Sequence, residues 1–333
     1  MRAVVLVGGF GTRLQPLTLD TPKQMLPIVG KPMIEHVVEY LSGHGITEVI
    51  LSLGFAPDVF QQAYPDGHCN GVKIHYAIEP EPLDTAGAIR FAADSADISE
   101  TFLVLNGDVL TDLDLENLIS FHKKTGAEAS IHLIPVEDPS RYGVVPTDED
   151  GRVLGFIEKP RPEESPTNWI NAGTYVLEPS VLERISSGQR VSVEKEVFPA
   201  LALESQLFGF KSENYWIDTG TPATYLQAQL DLISGGVREK SNSGIDPTSL
   251  LDGEATESII GADVVVERGA QIHKSVIMKG TRIEQGAVIS NSIIGFESVV
   301  AQDAFISSFS VVGHRAKVPS GTELIGTTWT NHE

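Results

Sequence analysis

Arg13 and Lys23 stand on either side of a stretch in which glycines and prolines follow an apolar opening run. Leu6–Pro27 reads LVGGFGTRLQPLTLDTPKQMLP. Gly8, Gly9 and Gly11 let backbone N–H groups come close to an anion. Arg13 can grip phosphate oxygens through two parallel bonds, and Lys23 can follow a moving negative charge as a point charge. Pro16 and Pro22 stiffen the chain between the two cations. Two familiar phosphate loops fail here. A dinucleotide fingerprint needs a third glycine where Leu14 stands, and the segment runs into Pro16 instead of a helix. The G-K-[ST] of a triphosphate-cradling P-loop is absent. The combination present suits a nucleoside triphosphate whose charge shifts during reaction.

The elements that must hold these residues alternate between strand and helix over the first 135 or so positions. Arg2–Val7, Glu48–Leu53, Val72–Ile78 and Phe102–Leu105 read as strands. Met33–Ser42 reads as a helix with Ile34, Val37, Val38 and Leu41 on one face. Asp114 is placed to cap a helix running to Lys123. Such alternation predicts a mostly parallel sheet covered by helices. Strands dominate from Ile131 to Trp216, with helices near Ser180–Ile185 and Lys195–Leu203. Pro222–Ile233 closes the region as a helix.

Residues 234–250, rich in Gly and Ser, read as a linker. Beyond them the sequence repeats. Ser followed by two aliphatic residues recurs at Ser258, Ser275, Ser292 and Ser310, at spacings of 17, 17 and 18. Ile294, Val300, Ile306, Val312, Val318 and Leu324 fall six apart, and so do Ile260, Val266, Ile272 and Met278 in a separate register. This pattern predicts a hexapeptide parallel β-helix over 251–328, after a first domain over 1–233.

The chain has 333 residues, 41% of them hydrophobic and 21% charged, as in a soluble globular protein. It has no run of 18 apolar residues, and with a strand-like run at its start no signal peptide is expected. Cys69 is the only cysteine, so no internal disulfide is possible, and the cytoplasm is the expected compartment. A net charge of −21 argues against nucleic-acid or membrane-surface partners. It also means that bound phosphates need local cations.

The string Gly8-Gly9-x-Gly11-Thr12-Arg13-Leu14-x-Pro16-Leu17-Thr18, followed by Pro22-Lys23, resembles the signature of sugar-phosphate nucleotidylyltransferases. The likeness continues in order through Asn106-Gly107-Asp108, Tyr142-Gly143-Val144-Val145, Glu158-Lys159-Pro160, Asn171-Ala172-Gly173, Glu194-Lys195-Glu196-Val197-Phe198-Pro199 and Trp216-x-Asp218-x-Gly220. It covers residues 1–233, and the repeating tail is similar to that of the mannose-1-phosphate guanylyltransferase branch. The resemblance implies an α/β fold: a Rossmann-like, mixed but mostly parallel sheet of the nucleotide-diphospho-sugar transferase type, followed by a left-handed parallel β-helix.

The implied reaction is in-line attack by a sugar 1-phosphate oxygen on the α-phosphorus of an NTP, releasing pyrophosphate. The nucleophile is already an anion, so no general base is required, and catalysis rests on positioning and charge stabilisation. By resemblance, Arg13 holds the pyrophosphate end and Lys23 neutralises the phosphoryl transition state. Asp108 and Asp218 are the implied ligands of Mg²⁺, which prefers one or two carboxylates with water and phosphate oxygens. Leu6, Gly8, Gly9, Gly11, Thr12, Thr85, Asn106 and Gly107 are the implied nucleotide contacts. Tyr142, Gly143, Glu158, Lys159, Asn171, Gly173 and Lys195 are the implied sugar-phosphate contacts.

The segment EPEPLDTAGAI, Glu79–Ile89, is expected to line the base pocket. A carboxylate only accepts hydrogen bonds, and guanine presents two adjacent donors where uracil and thymine present one between two acceptors. Glu79 therefore favours GTP. Asp84 departs from the family's usual glycine. It either caps the helix beginning near Thr85 or offers guanine a second acceptor.

Three further readings compete. One is a glucose-1-phosphate thymidylyl- or uridylyltransferase, and another is a non-catalytic subunit that binds sugar nucleotides. The third is acyl transfer by the β-helix with His273 or His314 as base. The β-helix is expected instead to serve homo-oligomerisation or regulation.

Overall fold

A computed structural model describes residues 1–235 and 244–331. The chain divides into two compact units, residues 1–8 with 35–216, and residues 9–34 with 217 onward. The expected linker falls partly, at 236–243, outside the described residues.

The first unit is built on a ten-stranded sheet. Ala3–Leu6 pairs in parallel with both Glu48–Leu53 and Phe102–Asn106, and Glu48–Leu53 pairs in parallel with Val72–Ile78. Ala3–Leu6, Glu48–Leu53 and Phe102–Asn106 are largely apolar on both faces because both faces are covered, as a parallel sheet requires; Val4, Ile50 and Val104 are fully buried. Val72–Ile78 instead alternates, with Lys73 and Ile78 exposed. Beyond Phe102–Asn106 the sheet turns antiparallel. Trp169–Leu177 pairs with it and with Ala129–Pro135. The second pairing shifts register between Asn171 and Tyr175. Such a bulge bends the strand and re-aims its side chains, and here it falls on the Asn171–Gly173 motif.

The expected helices form, with instructive differences. Asp114 caps Leu115–Thr125 by accepting from Asn117 N at 3.1 Å, and Gly126 ends that helix in the left-handed region. The helix expected at Lys195–Leu203 splits into a wide turn at Val193–Val197 and a helix at Phe198–Leu203. Pro199 lacks the N–H that would continue a regular ladder through the turn. Pro57–Ala63 forms a helix that the apolar pattern did not announce. Asp84–Ser95 lays Ala86, Ile89, Ala92 and Ala93 into the core against the sheet. Gly87 in this helix has no room for a side chain: a Cβ there would lie 2.5 Å from Gln189 O.

In the second unit, residues 250–329 form three five-stranded parallel sheets, with strands of two or three residues. Ile260, Ile277, Ile294 and Val312 stack in one column of the core. The sequence pattern had put Met278 on that lattice. Met278 is buried, but Ile277 occupies the column. The corners after Ile272 and Ile289 are one residue shorter than the corner after Ile306, which produces the 17-residue coils and the two registers. The recurring serines are buried and form a ladder between coils. Ser275 N donates to Ser258 Oγ at 3.1 Å, Ser292 N to Ser275 Oγ at 3.2 Å and Thr327 N to Ser310 Oγ at 3.3 Å. A small hydroxyl at this corner satisfies a backbone N–H that the turn leaves unpaired.

His132, on Ala129–Pro135, is fully buried in the first unit. Its Nε2 lies 2.8 Å from Ser212 Oγ and 3.1 Å from Asn214 Oδ1. Burial pushes its pKa down to about 4, and the Asn214 hydrogen bond opposes this only in part. The unfolded chain therefore binds a proton between pH 6.5 and 4 that the folded chain refuses, so stability falls as pH drops through that window. The loss is about 1.4 kcal/mol per pH unit within it. Urea unfolding of His132→Gln should show a shallower pH slope over this range than wild type, and equal slopes would refute the assignment.

Candidate active site

Each unit carries its own set of the implied site residues. In the first unit they gather where parallel strands end at their carboxyl termini, the usual location of sites in open α/β sheets. Leu6 O accepts from Gly107 N at 2.9 Å, and Val7 N continues the ladder to Ser52 O at 3.0 Å. Gly107 must be glycine, because a Cβ would fall 2.6 Å from Val7 Cγ1 and 2.9 Å from Leu6 O. Asp108, the next residue, is half-buried.

Glu79 follows the end of Val72–Ile78. Its Oε1 accepts from Ser52 Oγ at 2.9 Å and its Oε2 from Leu83 N at 3.1 Å. The carboxylate is thus held between a strand and the turn leading into Asp84–Ser95. Gly8 lies against it, with Cβ space ending 3.4 Å from Oε1.

Asp84 sits at φ 60°, the left-handed region. This explains why glycine suits the position, and why an aspartate, which tolerates that region better than most residues, can replace it. Its Oδ1 accepts from its neighbour Thr85 N at 2.9 Å, and Arg190 Nε stands 3.7 Å from Oδ2. Leu83, not Asp84, precedes the helix as its cap residue.

Thr85 Oγ1 donates to Glu194 Oε2 at 2.6 Å and accepts from Val193 N at 2.8 Å. Ser192 Oγ donates to the same Glu194 oxygen at 2.9 Å. The helix bearing Thr85 is thereby tied to the turn bearing Lys195, whose side chain is exposed.

The sugar-side motifs lie on the antiparallel part of the sheet. Gly143 pairs with Glu158 across two short strands. A Cβ at Gly143 would meet Phe156 at 2.5 Å and Glu158 Oε2 at 3.1 Å. Lys159 N donates to Tyr142 O at 3.0 Å, and Lys159 Nζ pairs with Glu158 Oε1 at 3.0 Å. The Lys159 side chain is 65% exposed, so the pair is weak and an incoming phosphate can displace it. Tyr142 stacks edge-on against Trp216, whose Nε1 donates to Ala172 O at 2.8 Å. Asn171 Oδ1 accepts from Gly173 N at 3.0 Å, and Gly173 at φ 76° leaves space filled by the Asn106 amide.

Two residues missed by sequence reasoning organise this half. Tyr175 is buried, and its hydroxyl accepts from Asn171 Nδ2 at 2.9 Å. Burial first, and then the charge of Glu194, push its phenol above the ordinary range. The Asn171 bond opposes this, while Glu158 and Asp108 add to it. Three carboxylates from separate motifs thus bear on one phenol through their charge. Glu194 was present in a quoted motif, but nothing in its spacing marked it as a partner of Thr85.

In the second unit, Gly11 at φ 61° turns the chain into a short helical turn at Thr12–Leu14. Thr18 Oγ1 donates to Gly11 O at 2.8 Å. A Cβ at Gly11 would press on Thr18 Cγ2 at 3.0 Å and Lys23 Cβ at 3.2 Å. Gly9 and Thr12 are exposed, and Lys23 is 7% exposed. Leu14, Leu17, Leu26 and Ile28 are fully buried and pin the loop. The helix Pro222–Ser234 also holds it. Tyr225 Oη donates to Pro27 O, and Gln229 Oε1 accepts from Val29 N at 3.1 Å.

Arg13 Nη2 lies 3.8 Å from Asp218 Oδ2, while Asp218 Oδ1 accepts from Gly220 N at 2.8 Å. A Cβ at Gly220 would fall 2.4 Å from Arg13 Nη2. The arginine is 56% exposed and the aspartate 20%, so one carboxylate is oriented by the backbone beside a guanidinium open to solvent. A cavity of about 880 Å³ lies between Pro222–Ser234 and the β-helix, and none of the implied site residues lines it. Among the described residues, no group of three or more His, Cys, Asp or Glu is gathered as a metal site.

The two tail histidines differ in how they are held. His273 Nδ1 is 2.9 Å from Thr256 Oγ1. Both His314 nitrogens are engaged, Nδ1 by Phe296 N at 3.0 Å and Nε2 by Leu17 O at 3.0 Å.

Residues 2–235 match the family model described as nucleotidyl transferase, and residues 233–332 match the one described as the GMPPB C-terminal domain. The chain is 41% identical over 283 residues to a mannose-1-phosphate guanylyltransferase of Mycobacterium tuberculosis, covering 84% of this chain and 78% of that protein. It is 40% identical over 337 residues to mannose-1-phosphate guanylyltransferase 1 of Arabidopsis thaliana, covering 96% and 92%. HddC from Yersinia pseudotuberculosis, solved in complex with GMP-PN, superposes with a TM-score of 0.58 at 33% identity, over 68% of this chain and 97% of its own.

Gly220→Ala should force the Arg13 guanidinium and the Asp218 carboxylate aside and lower kcat/KM for the triphosphate by about a hundredfold, the cost of an ångström-scale misplacement. The melting temperature should hold, because the displaced atoms are the ends of flexible side chains. Wild-type kinetics in this variant would show that Arg13 is not placed by Gly220.

Proposed function

The chain belongs to the nucleotidyl transferase family, and from that membership we propose that it transfers the guanylyl group of GTP to mannose 1-phosphate, giving GDP-mannose and pyrophosphate. The observation that carries this choice of substrates is the likeness to mannose-1-phosphate guanylyltransferases across nearly the whole chain, repeating tail included. The complex of HddC with GMP-PN adds support for a guanine nucleotide. We read residues 1–233 as the catalytic domain, 234–250 as a linker and 251–328 as a left-handed β-helix.

In this reading the mannose 1-phosphate oxygen attacks the α-phosphorus, the α–β bridging bond breaks, and pyrophosphate leaves with the bond's electron pair. Arg13 holds the β- and γ-phosphates, and Lys23 offsets the charge that spreads over the α-phosphoryl oxygens. Lys159 holds the phosphate of the sugar. Glu158 and the backbone near Gly143 and Gly173 hold its hydroxyls. Glu79, fixed by Ser52 and the Leu83 amide, keeps lone pairs for the two donors of guanine.

From their motifs, Asp108 and Asp218 are the proposed ligands of Mg²⁺, which takes few carboxylates and completes its shell with water and phosphate oxygens. Asp218 is already oriented by Gly220 N. The ion would lower the repulsion between phosphates. The lone cysteine, Cys69, is buried, which fits a reducing compartment such as the cytoplasm.

Pyrophosphate release from GTP, dTTP, UTP, ATP and CTP, each with several sugar 1-phosphates and Mg²⁺, should be greatest for GTP with mannose 1-phosphate. A preference for dTTP or UTP would sink the guanine assignment. Asp108→Asn and Asp218→Asn should each nearly abolish turnover while leaving the fold intact by circular dichroism; wild-type rates would refute their role at the metal.

A further inference from the structure

The signature loop touches the β-helix directly. The turn Gly313–Arg315 joins the strands Val311–Val312 and Lys317–Val318. Phe296 N–H donates to His314 Nδ1 at 3.0 Å, so Nδ1 carries no proton and Nε2 does. Nε2–H then donates to Leu17 O at 3.0 Å. The ring is stacked on Phe296 with centroids 4.6 Å apart. Gly295 makes room for it, since a Cβ there would fall 2.7 Å from Nδ1. Gly313 makes room for Pro16, whose Cγ lies 3.2 Å from where a Cβ would be. Arg315 Nη2 donates to Asp20 Oδ2 at 2.6 Å. Burial lowers the His314 pKa. Asp20, the Leu17 carbonyl and Glu297 oppose that shift and Arg315 reinforces it, so the neutral tautomer is kept at neutral pH.

Leu17 and Asp20 bracket Thr18, and Thr18 Oγ1 donates to Gly11 O at 2.8 Å. Gly11 in turn packs on Lys23 and precedes the turn that carries Arg13. We propose that Gly313–Arg315 is a positioning device for nucleotidyl transfer: His314 and Arg315 hold the arm Pro16–Asp20 and, through Thr18 and Gly11, set the placement of Arg13 and Lys23. The β-helix thus completes the geometry of the triphosphate site without touching substrate. This rests on the transfer reaction proposed above.

The test uses the full chain with His314→Ala, Arg315→Ala, Arg315→Asp, Asp20→Arg and the double charge swap. Amide exchange at Leu14 and Leu17 reads the loop without reference to activity. It should speed up about tenfold in His314→Ala, and kcat/KM for GTP should fall about tenfold, the worth of one hydrogen bond. Arg315→Ala should cost about threefold, because the Asp20 pair is exposed. KM for mannose 1-phosphate should stay within about twofold of wild type, since its binding groups lie elsewhere. The double swap should recover what Arg315→Asp and Asp20→Arg lose singly.

Unchanged loop exchange would overturn the proposal. So would losses shared equally by both substrates, accompanied by a lower melting temperature and no rescue by the swap. If wild type prefers another triphosphate, the substrate reading fails by itself. The device is then still judged on loop exchange and on turnover of that triphosphate.

Discussion

A glycine-rich loop that leaves its backbone N–H groups open cannot hold itself in place. Its glycines remove the side chains that would pack it, and they add conformational freedom that must be lost on folding. The rest of this structure answers that constraint. Leu14, Leu17, Leu26 and Ile28 are fully buried. Tyr225 and Gln229 satisfy the carbonyl of Pro27 and the N–H of Val29 from the helix Pro222–Ser234. Thr18 closes the loop on Gly11, and the β-helix turn at His314 takes the carbonyl of Leu17. Each contact uses a group the loop must satisfy anyway, so anchoring and hydrogen-bond satisfaction are achieved together.

Charge sets the second condition. A protein of net charge −21 that gathers two phosphorylated reactants works against its own field. The answer is local. Arg13 stands open to solvent beside a carboxylate oriented by the Gly220 amide, Lys23 is buried against the loop, and Lys159 is exposed beside Glu158. The carboxylates near the sheet's carboxyl edge are similarly bound to purpose. Glu79 is held by Ser52 and Leu83, and Glu194 by Thr85 and Ser192.

The β-helix shows how far a pattern reaches. Its six-residue lattice was plain in the sequence, and so was its coil length, because each inward position must be aliphatic and small enough to stack. The shift from Met278 to Ile277 was not plain. Both residues are apolar and both are buried, and only the short corners after Ile272 and Ile289 decide which one joins the column. The serine ladder was visible as a repeat, but its purpose appeared only when the hydroxyls of Ser258, Ser275 and Ser310 were seen to meet a backbone N–H one coil away. The split helix at Val193–Leu203 has the same lesson, since its periodicity is helical throughout and Pro199 interrupts only the hydrogen bonds.

Local features were legible in the residues alone: buried parallel strands from continuous apolar runs, capped helices, the hexapeptide repeat, and a glycine loop flanked by an arginine and a lysine. These follow from interactions within a few residues. Tertiary structure decided everything that joins distant positions. Tyr175 meets Asn171 through its buried hydroxyl and feels the charges of Asp108, Glu158 and Glu194. Asp84 takes a left-handed conformation that makes its departure from glycine tolerable. His314 reaches back 297 residues to Leu17. No periodicity encodes such contacts, because hydrogen bonds depend on distance in space, and only the folded chain sets that distance.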